Sequence, residues 1–336
     1  MIANIHLKGF KSFYDRILPL NNLTVLTGLN SSGKSSIIQA LRMLEKSAHN
    51  SENFLLPNHG SLTDLKSRFV KDEFSIGVED REGNEYSLLL SPHSAEKKGN
   101  IAEFPEVIYI SAGRFGPQAS LPIYNDLSRQ DKIGENGENL FQCIEAIERK
   151  GLILDERLRH EKSEGSTLLF NLRGWLNVIS PNVDFDYHLD RKSDTSYSTF
   201  DEYRSANVGF GLSYALPVIT ALLTGSVTPN CIVIIENPEA HIHPKGQTEL
   251  GRLISFCAEA GTQVIIETHS DHLLDGIRIA AKESHIDSEK VQIHWFELNS
   301  NKNTEVYSPV LHKDGRLSEW PQGFFDQFEI NASKLL

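Results

Sequence analysis

The sequence contains little cysteine, no long apolar run and no excess of positive charge. Its three cysteines, Cys143, Cys231 and Cys257, are an odd number and lack the spacing of metal ligands. We therefore expect buried, reduced thiols, as in a cytoplasmic protein, rather than disulfides. No apolar run approaches the ~18 residues that span a bilayer, and no signal-peptide segment opens the chain, so we expect no membrane association.

The charge balance is acidic, with a formal net charge of −12 from 33 basic and 45 acidic residues. Such a balance does not indicate a nucleic-acid footprint over the whole surface, although a local basic groove stays open. Sustained heptads and internal repeats are also missing, so we expect no coiled-coil arm. With 39% hydrophobic and 23% charged residues, the composition is that of a globular protein.

The clearest motif is Gly28-Leu29-Asn30-Ser31-Ser32-Gly33-Lys34-Ser35, which fits the P-loop pattern. The apolar run 23–27 before it predicts a buried strand. A helix is predicted after it, because apolar residues recur on one face at Ile37, Ile38, Leu41 and Leu44. In such a loop, glycines let the backbone wrap around phosphates, Lys34 reaches the β- and γ-phosphates, and the Ser35 hydroxyl binds Mg²⁺. The sequence therefore predicts a nucleoside triphosphate site.

A second candidate site follows the apolar run that begins at Cys231 and ends in Glu236-Asn237-Pro238-Glu239. This is the layout of a Walker B segment, in which a carboxylate at the end of a buried strand holds Mg²⁺ directly or through water. Glu236 is the candidate metal ligand. Pro244 is predicted to open the next helix, and Gly261 to close it.

A third candidate site is the polar end of the run Val264-Ile265-Ile266-Glu267-Thr268-His269-Ser270. Ser270 is placed to cap the following helix, and His269 is placed to sense a γ-phosphate. Zinc bound by His241, His243, His269 and His272 is an alternative, although no cysteine accompanies these histidines. Arg114, in a Gly-rich loop after the strand 107–110, is either a contact for phosphates or DNA or a solvated loop residue.

The remaining pattern favours one α/β domain with an insertion. Residues 73–78 and 85–90 predict a hairpin, 137–178 predict helices, and 183–204 are polar and strand-like. From residue 207 onward, strands and helices alternate as in a parallel sheet. We expect an N-terminal lobe over 1–135, an insertion over 136–206, and a C-terminal part over 207–336.

Residues 28–35, 236–244 and 268–270 together resemble the ABC-type ATPase heads of the RecF, SMC and overcoming-lysogenization-defect (OLD) group. Residues 9–13 are similar to the start of that group, and 207–213 resemble its degenerate signature motif. The segment 320–326, Trp-Pro-Gln-Gly-Phe-Phe-Asp, resembles the end of short bacterial OLD-like ATPases that carry neither a nuclease domain nor a coiled-coil arm.

The resemblance implies a P-loop NTPase of the ABC type, with a mixed central sheet, an antiparallel β lobe and a helical insertion. It implies ATP and Mg²⁺ as ligands. It also implies a homodimer or higher even oligomer in which each P-loop faces Gly209, Gly211 and Ser213 of another subunit. A separate protein effector, in anti-phage defence or DNA processing, follows by analogy. The nucleotide contacts that it implies are Lys11, Ser12, Gly28, Asn30, Ser31, Ser32, Gly33, Lys34, Ser35 and Ser36.

One residue departs from the family pattern. Most relatives have glutamate where this chain has Asn237, and an amide cannot accept the proton of the attacking water. Either Glu239 is the general base, or Glu236 serves both tasks, or turnover is slow. The functions left open are an ATP-hydrolysing switch, a tightly ATP-loaded scaffold, and a repair ATPase that depends on DNA ends.

Overall fold

The computed structural model describes residues 1–49, 53–126 and 129–335. The strands are β1 (Ile2–Lys8), β2 (Asp15–Pro19), β3 (Leu23–Gly28), β4 (Phe74–Asp80), β5 (Glu85–Ser91), β6 (Ser94–Gly99), β7 (Glu106–Ile110), β8 (Leu121–Pro122), β9 (Phe185–Asp190), β10 (Thr195–Phe200), β11 (Tyr203–Arg204), β12 (Cys231–Glu236), β13 (Gln263–Glu267), β14 (Val291–Leu298) and β15 (Thr304–Tyr307). The helices are α1 (Lys34–Ala48), α2 (Leu62–Leu65), α3 (Leu140–Lys150), α4 (Leu168–Ile179), α5 (Phe210–Val227), α6 (Pro244–Glu259), α7 (Asp271–Lys282) and α8 (Gln327–Leu335).

These elements form two compact units. The first contains residues 1–107, 289–312 and 316–336, and the second contains residues 108–288 and 313–315. The predicted hairpin is β4 and β5, the predicted helices are α3 and α4, and the three cysteines are buried and form no disulfide. Asp184, just before β9, and Asp186 within it are exposed.

The first unit has an antiparallel sheet in the order β2-β1-β4-β5-β6, with α1 packed on β1, β4 and β5. The four apolar residues predicted to line one face of α1 are all buried. Separately, β3 pairs in parallel with β14, which pairs antiparallel with β15. Gly28 lies opposite Phe296, and a Cβ at Gly28 would be 2.2 Å from the Phe296 carbonyl oxygen. The strand pairing that leads into the P-loop therefore requires glycine at this position.

The second unit contains β12 and β13 as a parallel pair, with α5, α6 and α7 beside them. An antiparallel sheet of β8 to β11 lies near α3. His243 caps α6 and Ser270 caps α7, as Pro244 and Ser270 led us to expect. The polar residues after β12 and β13 therefore lie at neighbouring strand ends, because the carboxyl ends of parallel strands meet at one edge.

Helix α5 corrects the expectation that no apolar segment is long enough to span a bilayer. Among the described residues it is the one helix that could do so by length and composition, with a mean hydropathy of 1.5. In the fold, 67% of it is buried, and it packs against α3, α4, α6 and β12. A helix covered on several sides becomes apolar all round, which explains its composition.

Helices α6 and α7 approach each other closely through two glycines. A Cβ at Gly276 would lie 2.1 Å from the Thr248 carbonyl oxygen, and one at Gly251 would lie 2.3 Å from that of Leu273. Both obstacles are backbone atoms, which cannot rotate away. Glycine is therefore required at both positions to hold this helix pair together.

We expect Gly276→Ala to destabilise the protein by about 1–3 kcal/mol, because the added methyl must separate the two helices. Thermal unfolding followed by circular dichroism measures the loss. Lys282→Ala, at an exposed position of α7, is the control and should cost less than about 1 kcal/mol. Equal stability of Gly276→Ala and the parent would show that α6 and α7 are not in backbone contact.

Candidate nucleotide site

The P-loop connects the end of β3 to the start of α1. Gly28 and Gly33 have φ of 143° and 112°, and Ser31 between them has φ of 61°. The Lys34 ammonium, only 3% exposed, donates to the carbonyl oxygens of Gly28 and Leu29 at 3.0 and 2.8 Å. The backbone thus curves around the lysine in the way that a phosphate cradle requires.

Within the loop, the predicted contact residues differ in exposure. Asn30 and Ser31 are exposed, Ser35 is half-buried, and Ser32 and Ser36 are buried. The Ser32 hydroxyl has no hydrogen-bond partner among the described residues. Among the described residues, no side chain accepts a hydrogen bond from the first turn of α1 as an N-cap. The amide groups of its first turn point toward the loop, as in phosphate-binding P-loops.

Thr304, which the sequence did not indicate, anchors the P-loop. Its hydroxyl donates to the Ser32 carbonyl at 2.8 Å and lies 2.7 Å from the Ser12 hydroxyl. A Cβ at Gly33 would come within 2.7 Å of the same Thr304 oxygen and 3.0 Å of the Phe13 ring. Ser12 is therefore linked to the loop through Thr304, a residue 292 positions away in the sequence.

Lys11, another predicted nucleotide contact, has an unusual backbone φ of 50°. Its ammonium donates to the Gln39 side chain on α1, and burial lowers its pKa below the usual value. Lys11 is thus attached to the helix that follows the P-loop. It is a second amine near the loop besides Lys34.

The turn after β12 carries the two carboxylates predicted for hydrolysis. The Glu236 carboxylate accepts from the Ala112 amide at 3.3 Å. One oxygen of Glu239 accepts from the His269 amide at 2.9 Å, while the other is buried without a partner in the described chain. Glu239 therefore presents one unused acceptor, which is what a general base needs.

Asn237, the departure from the family pattern, has a left-handed backbone with φ of 46°. The backbone amide of Asn237 donates to the Glu267 carbonyl at 2.8 Å, and this bond links the ends of β12 and β13. Asparagine tolerates this region better than glutamate does, because its short polar side chain can bond locally. The backbone of the turn thus favours asparagine independently of any catalytic role.

His269 is exposed directly after β13, next to the buried Ser270. Gln247, which the sequence analysis missed, joins this segment to α6: its carbonyl accepts from the Ser270 hydroxyl at 2.6 Å, and its amide donates to the Ile242 carbonyl at 2.7 Å. The signal for Gln247 was weak, since a glutamine one turn into an amphipathic helix normally faces solvent. The packing of α6 on α7 fixes the position of His269.

Arg114 corrects both interpretations given to it. It is 1% exposed, and its guanidinium donates to four backbone carbonyls, those of Ser111, Tyr214, Glu236 and Asn237. Burial lowers its pKa to about 10, although the nearby Glu239, Tyr214 and Glu236 raise it. It is neither a solvated residue nor available to phosphates or DNA, because it is buried and four of its five N–H donors are already used.

The predicted signature segment lies at the start of α5. Gly209 is exposed, and among the described residues no atom would come within 4 Å of an added Cβ. Gly211 is close to the His241 carbonyl, at 2.8 Å from an added Cβ. The Ser213 hydroxyl, by contrast, is buried, and Ser213 lines a pocket beside Phe115 and Leu216. In this conformation Gly209 faces solvent and Ser213 faces inward.

The alternative zinc site gains no support. Over the described ranges, no three His, Cys, Asp or Glu side chains are grouped to hold a metal. His241 instead stacks near Tyr214, with ring centroids 4.4 Å apart. A hydroxyl at Ser35 and a carboxylate at Glu236 are oxygen donors of the type that suits Mg²⁺, which commonly takes one or two carboxylates together with phosphates.

Three families match parts of the chain. The family described as "AAA ATPase domain" matches residues 1–111, and "AAA domain, putative AbiEii toxin, Type IV TA system" matches 179–275. "Protein of unknown function (DUF3696)" matches 286–335. No curated protein matches the chain. The first of these matches includes the P-loop, and the second includes the polar residues at the ends of β12 and β13.

Solved structures of Smc head domains share the fold. One, bound to the C-winged helix domain of ScpA, is 13% identical with a TM-score of 0.56, covering 92% of this chain and 98% of that chain. Another, from Pyrococcus furiosus, is 12% identical with a TM-score of 0.56 over the whole of both chains. A third, from Pyrococcus yayanosii, is 11% identical with a TM-score of 0.54, covering 93% of this chain and 98% of that chain.

The expected fold class, an α/β P-loop NTPase of the ABC type, is confirmed by these structures. At such low identity they show the fold alone, whereas the ATPase family matches concern the sequence itself. Together with the P-loop geometry, the two ATPase family matches support ATP binding and ATPase activity, and the chain shares the α/β P-loop NTPase fold of the Smc head structures.

Proposed function

We propose that the whole chain acts as one ABC-type ATPase domain, an ATP-driven dimeric switch that regulates a separate effector protein. The observation that carries this proposal is the exposed start of α5. Gly209 has open space around it, and Phe210 beside it is 56% exposed. A glycine and an aromatic ring at a helix N-terminus suit a surface that meets the phosphates of a second subunit. The head-to-tail homodimer implied by the family resemblance would use this surface.

In the proposed site, Lys34 and the amides of the P-loop bind the phosphates of ATP, with Lys11 and Ser12 supporting the loop. Ser35 and Glu236 are each proposed as a ligand of Mg²⁺, which would neutralise charge on the phosphates. Glu239 accepts the proton of the attacking water through its unpartnered oxygen. His269, whose amide fixes the other oxygen of Glu239, is the sensor of the γ-phosphate.

We further propose that the effector acts in bacterial anti-phage defence or in DNA processing. The OLD-like segment at 320–326 lies in the region matched by the family of unknown function, and the AbiEii family description names a toxin–antitoxin system. Both support a bacterial anti-phage role, with DNA processing as the related alternative. In the first unit, Phe324 is fully buried against Trp295, while Trp320 is 51% exposed beside it. An anchored segment with an exposed tryptophan suits contact with an effector.

We expect Lys34→Ala to weaken ATP binding by at least about 10²-fold, because the variant loses a charge-assisted contact with the phosphates. Isothermal titration with ATP and Mg²⁺ measures the dissociation constant. Lys46→Ala is the matched control on the same helix, where the lysine donates to the Leu55 carbonyl. Parent-like affinity of Lys34→Ala would contradict the P-loop assignment.

We expect Glu239→Gln to bind ATP normally but to lower kcat by about 10²-fold or more, since an amide can still accept from His269 but cannot take a proton. Glu236→Gln should instead weaken the Mg²⁺-dependent part of binding. Glu164→Gln, an exposed carboxylate of the second unit, is the control. Parent-like turnover of Glu239→Gln would exclude it as base, and a parent without turnover would favour the ATP-loaded scaffold.

The dimer is tested with Gly209→Glu in the Glu239→Gln background. The backbone φ of −60° and the open space accept any side chain, so the fold should be unaffected. We expect ATP to double the mass of the Glu239→Gln protein in light scattering and to leave Gly209→Glu monomeric, with Gly209→Ala as the control. ATP-dependent dimers of Gly209→Glu would place the subunit interface elsewhere.

A further inference from the structure

Arg114 joins three segments of the second unit. Its Nε donates to the Tyr214 carbonyl in the first turns of α5 at 3.0 Å. One terminal nitrogen donates to Ser111 and Glu236, at 3.2 and 2.9 Å, and the other donates to Asn237 at 2.8 Å. The guanidinium also lies 5.3 Å from the centre of the Tyr214 ring. One side chain therefore holds the end of β12 to the start of α5.

The loop around Arg114 holds Glu236 at two points. Arg114 binds the main-chain carbonyl of Glu236, and the amide of Ala112 binds its carboxylate. Fixing both ends of one residue sets the direction of its side chain. A buried cation is costly to desolvate, and its charge is not matched here by a carboxylate in direct contact. Carbonyl groups at a turn need only neutral donors, so support of the turn alone does not require an arginine.

We propose that Arg114 is a positioning residue for ATP hydrolysis. It ties the turn that carries Glu236 and Glu239 to the first turns of α5, so that the arrangement of the carboxylates depends on the position of α5. Its chemistry rests on the roles proposed above for Glu236 and Glu239. Because Arg114 is 1% exposed and four of its five N–H groups donate to carbonyls of its own unit, we assign it a positioning role and not a catalytic one.

The geometry of the guanidinium distinguishes Arg114 from a lysine. Its donors point in separate directions within one plane and reach carbonyls on three segments, whereas an ammonium presents all its donors from a single atom. Lysine at this position keeps the positive charge but cannot hold the end of β12 and Tyr214 together. Arg114→Lys thus removes the tie while it preserves the charge next to Glu236 and Glu239.

The test measures ATP affinity and turnover of Arg114→Lys separately. We expect the ATP dissociation constant to stay within about twofold of the parent value. We expect kcat per bound ATP to fall to about a tenth of the parent value or below, because misplaced catalytic groups slow the reaction without weakening binding. Arg173→Lys is the matched control, since Arg173 also donates to a backbone carbonyl, that of Phe185. Normalising kcat to bound ATP removes any loss that is due to unfolded protein.

A double variant tests the route of the effect. If Arg114 acts through the carboxylates, Arg114→Lys should lower kcat no further in the Glu239→Gln background. A parent-like kcat per bound ATP in Arg114→Lys would overturn the proposal. This includes the case in which total turnover falls only in proportion to the number of ATP-binding sites. Should Glu239→Gln turn over like the parent, the base assignment fails, while a low kcat with intact affinity in Arg114→Lys still supports a positioning role.

Discussion

The turn between β12 and α6 depends on hydrogen bonds from a side chain that lies far from it in the sequence. Strand pairing ends at Glu236, where the chain leaves the sheet through the left-handed Asn237. A carbonyl that is shielded from water and lacks a donor is costly. Arg114 donates to the carbonyls of Glu236 and Asn237, and the Glu267 carbonyl accepts from the backbone amide of Asn237. The placement of Glu236 and Glu239 follows from these bonds.

The P-loop shows the same reliance on distant residues. Its glycines provide the backbone conformation, but Thr304 holds the Ser32 carbonyl, and Ser12 and Phe13 surround that contact. Lys34 is bound by carbonyls of the loop itself. Phosphate binding must therefore compete with these carbonyls for the lysine. The affinity for ATP is the difference between two sets of charge-assisted bonds.

Much of the fold could be predicted because local patterns decide it. The run before Gly28 and the helical spacing after Ser35 identify β3 and α1, and Pro244 and Ser270 mark the starts of α6 and α7. The roles of Arg114 and Thr304 could not be predicted, since most of their partners are 100 or more positions away and are backbone atoms that carry no sequence signal. The nature of α5 was missed for a related reason. Its polar Thr220 and Thr224 interrupt the apolar run but are buried, and Thr220 bonds the carbonyl of Leu216 within the helix.

Asn237 also has a neighbour that affects its chemical lifetime. Asparagine side chains deamidate slowly in water. The backbone nitrogen of the following residue attacks the side-chain carbonyl and forms a five-membered cyclic imide, which then hydrolyses to a carboxylic acid. Here the following residue is Pro238, whose ring nitrogen has no proton to lose. The imide cannot form by this route. The amide at position 237 is thereby protected from slow conversion to a carboxylate beside Glu236, and the charge of this turn is kept constant with the age of the protein.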